Sequence, residues 1–336
     1  MQKAALLYNP LCGGRRGRQP EMEAALALLR HAGVDAQLVL TRSGLDAIEQ
    51  AQRALAVGCD TIFACGGDGT VHHIVQVLAR SRAALAILPV GTANVLAHEL
   101  GIPLDPVAAA TASLHTTPRF MALGHVRFQD FEGTNASRVF IATAGVGMDA
   151  LLFHKLNPGQ KRRLGMAAYY AKAWHLWLTH RMVRFHAEYL ETGTSEIRQA
   201  SVTQVLAVRI RNFGGILQEL APGAALQRDD LRLVLCRTAS RSLYLLCVLR
   251  GLLHQKWKIA GIDLAYSRNV SCRHLAVAGD GTLREDETVY VEADGELLGT
   301  LPVEISMAPE LLTVLAPLRG GSYDSAHWSS SRHPGP

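Results

Sequence analysis

An α/β domain with a parallel sheet, followed by a mainly antiparallel β-sandwich domain, is the fold class that this sequence predicts. Three observations carry the prediction. Strand-like and helix-like patterns alternate through the first third of the chain, glycine-rich loops close the strands, and from Arg119 onward short β-rich segments replace the alternation. A chain of 336 residues with 49% hydrophobic content and 19% charged residues has material for two cores.

"KAALLYNP" reads as the first strand, ending in an Asn-Pro turn; "LCGGRRG" follows, then a helix from Glu21 to Ala32 closed by Gly33. "DAQLVLT" is the second strand and Asp46 to Ala56 the second helix. "DTIFAC" is the third strand, and beyond it Val71, Ile74, Val75 and Leu78 recur at helical spacing. "ALAILPV" is the fourth strand, "GTAN" a turn and "NVLAHEL" a helix stopped by Gly101. Later segments such as "RVFIATAG", "VTQVLAVRI" and "TVYVEADGELLG" are β-like, with helical stretches at about Lys161 to His180 and Ser240 to Trp257. The expected division is an α/β domain over 1–118 and a β-rich domain over 119–318 whose last segment could return to the first. A polar tail over 319–336 is expected to be disordered.

The formal charge of +5 favours anionic partners such as nucleotides, acidic lipid surfaces or nucleic acid. Six scattered cysteines, with no CxxC pair, read as reduced thiols of a cytosolic protein. No signal peptide is visible. The longest apolar run, Leu243 to Leu253, is broken by Arg250 and is shorter than the roughly 18 residues a bilayer span needs. A soluble or peripheral protein is the expectation.

The stretch "GGDGT", Gly66 to Thr70, lies where a strand meets a helix, the place where parallel sheets bind ligands. Its glycines let a ligand approach the main chain, and the free N–H groups of a helix start attract anions, so a phosphate-bearing ligand is expected. The Rossmann fingerprint fails, because His72 stands where its third glycine belongs, and no Gly-Lys-Ser/Thr run supplies a P-loop. A carboxylate inside a phosphate cradle, Asp68, suggests phosphoryl transfer with Mg²⁺; the alternative is a helix-capping turn residue. One strand later, Gly91, Thr92 and Asn94 repeat the design, and Asn9, Gly13 and Gly14 with two arginines add a third loop.

At these residues the sequence resembles the diacylglycerol kinase catalytic-domain family, whose fold is shared with NAD kinases. "YNPLCGG", "GGDGT" and "PVGTANVLAHEL" look like its nucleotide-site motifs, and "AGVGMDA", "NFGGILQELAPGAALQRDDL" and "EADGELLG" are similar to its later ones. The resemblance implies a lipid kinase whose first domain binds ATP through Asn9, Thr41, Gly66, Gly67, Asp68, Gly69, Thr70, Val71, His72, Gly91, Thr92 and Asn94. It implies that Glu296 is the general base for the lipid hydroxyl, with Asp294 beside it and Asp68 organising Mg²⁺-ATP or the hydroxyl. A Mg²⁺ site at Leu226, Asp229 and Leu231 is implied too, the leucines acting through their carbonyls. Departures are His72-His73 in place of Asn-Glu, Val95 in place of an acid after GTAN, and Asp229-Asp230 in place of Asp-Gly. Read without the resemblance, Glu296 is a hairpin acid, Asp229 a surface-turn acid and Asp149 a helix N-cap.

From Leu151 to Ala187 the chain carries seven Lys/Arg and no acid, with Tyr169, Tyr170, Trp174 and Trp177 among them. Peripheral contact with an anionic membrane surface is one reading and a solvated basic helix the other. Nucleic acid is not expected, since no nucleic-acid motif accompanies the charge. An exposed sheet edge could pair two copies into a homodimer. The alternatives to an ATP-dependent lipid kinase are an NAD kinase and a catalytically silent lipid- or nucleotide-binding regulator.

Overall fold

The computed structural model describes residues 1–12, 18–155, 174–175, 178–211, 221–252, 258–275 and 288–317. The expected tail, the loop at Gly13 and Gly14, the "NFGGILQEL" segment and most of the basic aromatic stretch lie outside the described residues.

The first unit alternates as the hydrophobic periodicity requires. Strands β1 (Lys3–Tyr8), β2 (Asp35–Leu40), β3 (Thr61–Gly66) and β4 (Ala84–Pro89) are parallel in the order β2-β1-β3-β4. Helices α1 (Gln19–His31), α2 (Gly44–Ala56), α3 (Asp68–Leu78), α4 (Val95–Leu100) and α5 (Pro106–Leu114) connect and cover them. Every residue of β3 and β4 is buried, as a parallel strand sandwiched by helices demands, whereas β2 at the edge is partly exposed. Local chemistry starts the helices: Ser43 Oγ accepts from Asp46 N at 3.1 Å to cap α2, and Asp105 Oδ1 accepts from Ala108 N at 2.8 Å to cap α5.

The second unit contains β5 (Arg119–Gln129), β6 (Asn135–Phe140), β7 (Thr143–Gly147), α6 (Met148–Lys155), β8 (Phe185–Glu191), β9 (Ile197–Val202), β10 (Gln204–Val208), β11 (Leu231–Cys236), α7 (Arg241–Leu252), β12 (Ile262–His274), β13 (Tyr290–Ala293) and β14 (Glu296–Val314). The two walls of the expected sandwich are continuous. Antiparallel pairing runs β14-β13-β7-β10-β11-β12 and returns from β12 to β14, closing a ring. Alternate residues of these strands, among them Val146, Val205, Leu233, Val291 and Ile305, fill it. The β5–β6 and β8–β9 hairpins attach to β14 and β12.

Strand β14 joins the units. Its 19 residues carry two register shifts against β5, and these let one strand serve two environments. Its beginning pairs with β13 in the ring, and its end meets β4 in parallel at Val314↔Leu85, where Leu315 N donates to Leu85 O at 2.8 Å. The larger core crosses the compositional boundary at Arg119, since it includes Leu206, Val208, Val234 and Leu312 beside Leu6, Phe63 and Leu88.

Leu312 is fully buried at this junction. Leu312→Ala is expected to remove about 2–5 kcal/mol of stability. In a thermal melt it should lower the unfolding temperature by several degrees, and an unchanged melt would contradict β14 as the coupling strand.

Candidate functional site

The four parallel strands deliver their loops to one edge of the sheet. Asn9 follows β1, Thr41 follows β2, Gly66 to His72 close β3 and open α3, and Gly91 to Asn94 follow β4. Asn9 Oδ1 accepts from Leu11 N at 3.0 Å and so shapes its own turn. Thr41 is 1% exposed and its hydroxyl has no partner, an unsatisfied group at a strand end. Gly69 and Thr92 are exposed at the loop tips, while Thr70 and Val71 are buried, with Thr70 Oγ1 3.5 Å from Cys12 Sγ.

The GGDGT and GTAN loops lie back to back. A Cβ on Gly67 would sit 3.2 Å from Gly91 Cα, and one on Gly91 would collide with Gly67, so both positions need a bare backbone. Asn94, left-handed at φ +46°, folds its loop through Oδ1, which accepts from Gly91 N at 3.0 Å, and Nδ2, which donates to Gly91 O at 2.9 Å. Asp68 closes the pair. Its Oδ1 accepts from Val95 N at 2.7 Å, so it caps α4 rather than its own helix. Burial raises the Asp68 pKa, the Val95 and Leu96 amides pull it back, and the charge of Asp294 pushes it up again.

The second unit contributes a carboxylate cluster. Asp294 and Gly295 take positive φ, +48° and +81°, and form a two-residue turn between β13 and β14. Asp294 Oδ1 accepts from Ala142 N (2.8 Å) and Thr143 N (3.1 Å), and Oδ2 accepts from Ile141 N (2.8 Å). Oδ2 is also 3.1 Å from His72 Nδ1. Glu296 follows, 29% exposed, with Arg138 Nη1 3.2 Å from Oε2, His72 Nε2 3.6 Å from Oε2 and His73 Nε2 3.4 Å from Oε1. Gln76 completes the contact: Nε2 donates to Val139 O at 2.8 Å and Oε1 accepts from Val139 N at 3.1 Å.

Beneath this turn are two more acids. Glu292 is 1% exposed, and its Oε2 accepts from Gly295 N at 2.8 Å; Asp149, in the first turn of α6, has a buried Oδ2 without a partner. Gly145 lies over both, and a side chain there would collide with Asp149. Burial pushes the Asp149 pKa up to about 7 and that of Glu292 well up, the latter also through the charge of Asp149. Two carboxyls this close and this dry do not both ionise near neutrality.

The Asp229 turn is held by arginines. Asp229 is 56% exposed, and its Oδ2 accepts from Arg268 Nη1 at 2.9 Å. The Leu226 carbonyl accepts from Nη2 of the fully buried Arg209 at 3.3 Å, and Asp230 is held by Arg228 through bonds of 2.6 and 2.8 Å. A divalent cation needs these oxygens free, and here guanidinium groups take the Leu226 and Asp229 oxygens. In this arrangement a cation at Leu226, Asp229 and Leu231 would have to share or displace the guanidinium contacts on the Leu226 carbonyl and on one Asp229 oxygen.

Of the expected site residues, the structure gathers the strand-end loops, His72, Asp294 and Glu296, and the buried Arg209, bonded to the Leu226 carbonyl, feels the charges of both Asp294 and Asp229. His73, Arg138, Gln76 and the Asp149–Glu292 pair were missed as a constellation. The visible signals were the doubled histidine beside a glycine loop and, for Asp149, the AGVGMDA segment.

Because the Asp149 pKa is raised on folding, its proton stabilises the native state at low pH, and that contribution is lost as pH rises from about 4 through about 7. Asp149→Asn is expected to flatten the decline of melting temperature across this window relative to wild type, an effect of a few kcal/mol at most. Parallel curves for the two proteins would contradict the buried pair.

Comparison with known proteins gives this geometry a lineage. The model of the diacylglycerol kinase catalytic domain matches residues 3–126. A diacylglycerol kinase of Mycobacterium tuberculosis is 30% identical over 319 residues, 95% of this chain and 96% of its own. The crystal structure of a diacylglycerol kinase from Bacillus anthracis superposes with a TM-score of 0.66 at 18% identity, covering 94% of this chain and 97% of its own. Yeast NADH kinase superposes at 0.52 with 9% identity, covering 100% and 90%, which shows a shared fold alone. With the Mycobacterium tuberculosis enzyme matched along nearly the whole of both chains, the chain belongs to the diacylglycerol kinase family of lipid kinases.

Proposed function

We propose that this kinase transfers the γ-phosphate of ATP to the hydroxyl of a lipid alcohol, diacylglycerol or a related lipid. The observation that carries the reading is the meeting of two unlike surfaces: bare-backbone loops at the ends of four parallel strands, and a half-buried carboxylate, Glu296, presented by the other unit. The loops and the start of α3 suit phosphates, since free amides and the helix dipole attract anions without a fixed counter-charge. The Thr41 hydroxyl is an unused donor at the same edge. Asp68 acts by positioning, because its bond to Val95 N holds the two phosphate loops together.

In the reaction the lipid O–H proton passes to a Glu296 oxygen, the alcohol oxygen attacks the γ-phosphorus, and the bond from phosphorus to the ADP oxygen breaks. Mg²⁺ carried by ATP supplies neutralisation of the phosphate charge. Asp294 orients the turn that carries Glu296, and Arg138 Nη1 donates to Glu296 Oε2 at 3.2 Å.

The lipid lies in a bilayer, so the enzyme works as a cytosolic protein touching an anionic membrane surface through the basic segment between Leu151 and Ala187. Trp174 and Leu178, 50% and 44% exposed, support this placement. Among the described residues no helix is long and apolar enough to cross a membrane. Pairing of two copies along the exposed edge of β9 follows from its pattern of exposed residues. NAD as acceptor is disfavoured by the GTANVLA segment and the basic aromatic stretch, and a silent regulator by the retained Glu296 cluster.

The test is transfer of ³²P from γ-labelled ATP into a total lipid extract and, in parallel, into NAD. A labelled lipid is expected from wild type, and Glu296→Gln should lose on the order of 10²-fold or more in kcat. Label in NAD, or full lipid labelling by the variant, would overturn the assignment.

A further inference from the structure

Hydrogen accounting around Glu296 leaves an arrangement that a simple acid in a hairpin does not need. His73 Nδ1 lies 2.6 Å from the Gly69 carbonyl, which can only accept, so Nδ1 carries a hydrogen. His72 Nδ1 faces the Asp294 carboxylate at 3.1 Å and carries one for the same reason. In the neutral rings both Nε2 atoms therefore carry no hydrogen, and each lies near a different oxygen of Glu296, 3.6 Å for His72 and 3.4 Å for His73. His72 is 1% exposed and its Nε2 has no hydrogen-bond partner. A buried lone pair facing a carboxylate is costly unless a proton visits the space between them.

We infer that the two imidazoles form a proton relay for Glu296. Glu296 takes the proton of the substrate hydroxyl, and its protonated carboxyl then donates to His73 Nε2. That ring becomes an imidazolium beside the restored carboxylate and releases the Nε2 proton to water, while Nδ1 keeps its hydrogen on the Gly69 carbonyl. Of the two rings His73, 20% exposed, is the one open to solvent, while His72 is sealed at 1% and is tied through Nδ1 to Asp294. Gly44, at the start of α2, leaves the space for the His73 ring: a side chain there would overlap the imidazole. The rings stand perpendicular with centroids 5.8 Å apart, so each meets its own carboxylate oxygen. An imidazolium on either side makes a charge-assisted contact that draws the carboxylate away from the hydroxyl, so the relay is ready only with both rings neutral. The charged groups around it are Arg138 from β6, Asp294 and Glu292 from the β13–β14 turn and Asp68 from α3.

This inference rests on Glu296 as the base, and the experiment separates the two. His73→Ala and His72→Asn are assayed for lipid phosphorylation across pH 5 to 9, with and without added imidazole, beside Glu296→Gln. His73→Ala should lose on the order of 10²-fold in kcat, with the KM for ATP within about twofold of wild type. Added imidazole should restore much of that loss in proportion to its neutral form, filling the space over Gly44. His72→Asn should lose kcat without rescue, its site being closed. If Glu296→Gln is inactive while His73→Ala keeps wild-type kcat, or loses it with no imidazole rescue, the relay is wrong and the base stands. If Glu296→Gln is active, the base assignment fails and the relay with it.

Discussion

The carboxylate of Asp294 is the contact on which the site depends. Three backbone amides of the β6–β7 crossing, Ile141, Ala142 and Thr143, converge on its two oxygens, and the His72 ring from the opposite unit lies against one of them. A carboxylate with that many donors is locked in direction, and so is the turn it begins. Glu296, two residues on, inherits its position from that lock. Without it the strand-end loops and the acid would be two unrelated surface features.

The two units meet through polar chemistry at the site and through apolar packing behind it. Asp294, Glu296 and Gln76 bind α3 to the β-ring at the strand ends, while Leu312, Val314 and Leu315 carry β14 into the first core. That division suits a phosphotransferase. The reacting groups come from separate parts of the chain, and their relative placement has to hold within fractions of an ångström. A single strand that starts beside the acid and ends against β4 achieves this with covalent continuity and no hinge in between.

Electrostatics around the turn are arranged with opposite signs in layers. Arg138 and the histidines face Glu296 on the open side, whereas Glu292 and Asp149 lie below, where burial favours their neutral forms. A proton held by this buried pair reduces the repulsion that two full carboxylates would exert on Glu296. At the Asp229 turn arginines take the positions where a cation would be expected, Arg209 on the Leu226 carbonyl and Arg268 on Asp229.

The sequence by itself determined the parallel α/β unit, because strand and helix periodicities are local and glycines mark the strand ends. It also determined the family, since ordered motifs such as GGDGT, GTAN and the Asp-Gly turn at Asp294 survive as short strings. The hairpin at Asp294-Gly295 was legible because few dipeptides tolerate positive φ twice. What the tertiary structure alone decided is who faces whom. Asp68 caps a helix that begins 27 residues later, Arg138 reaches an acid 158 residues away, and β12 closes a ring onto β14. Those pairings depend on strand register and on the bend in β14, properties summed over many residues that no single stretch encodes. The roles of Asp68, His73 and Asp229 were therefore beyond reach of the sequence, because each depends on a partner brought close only by the fold.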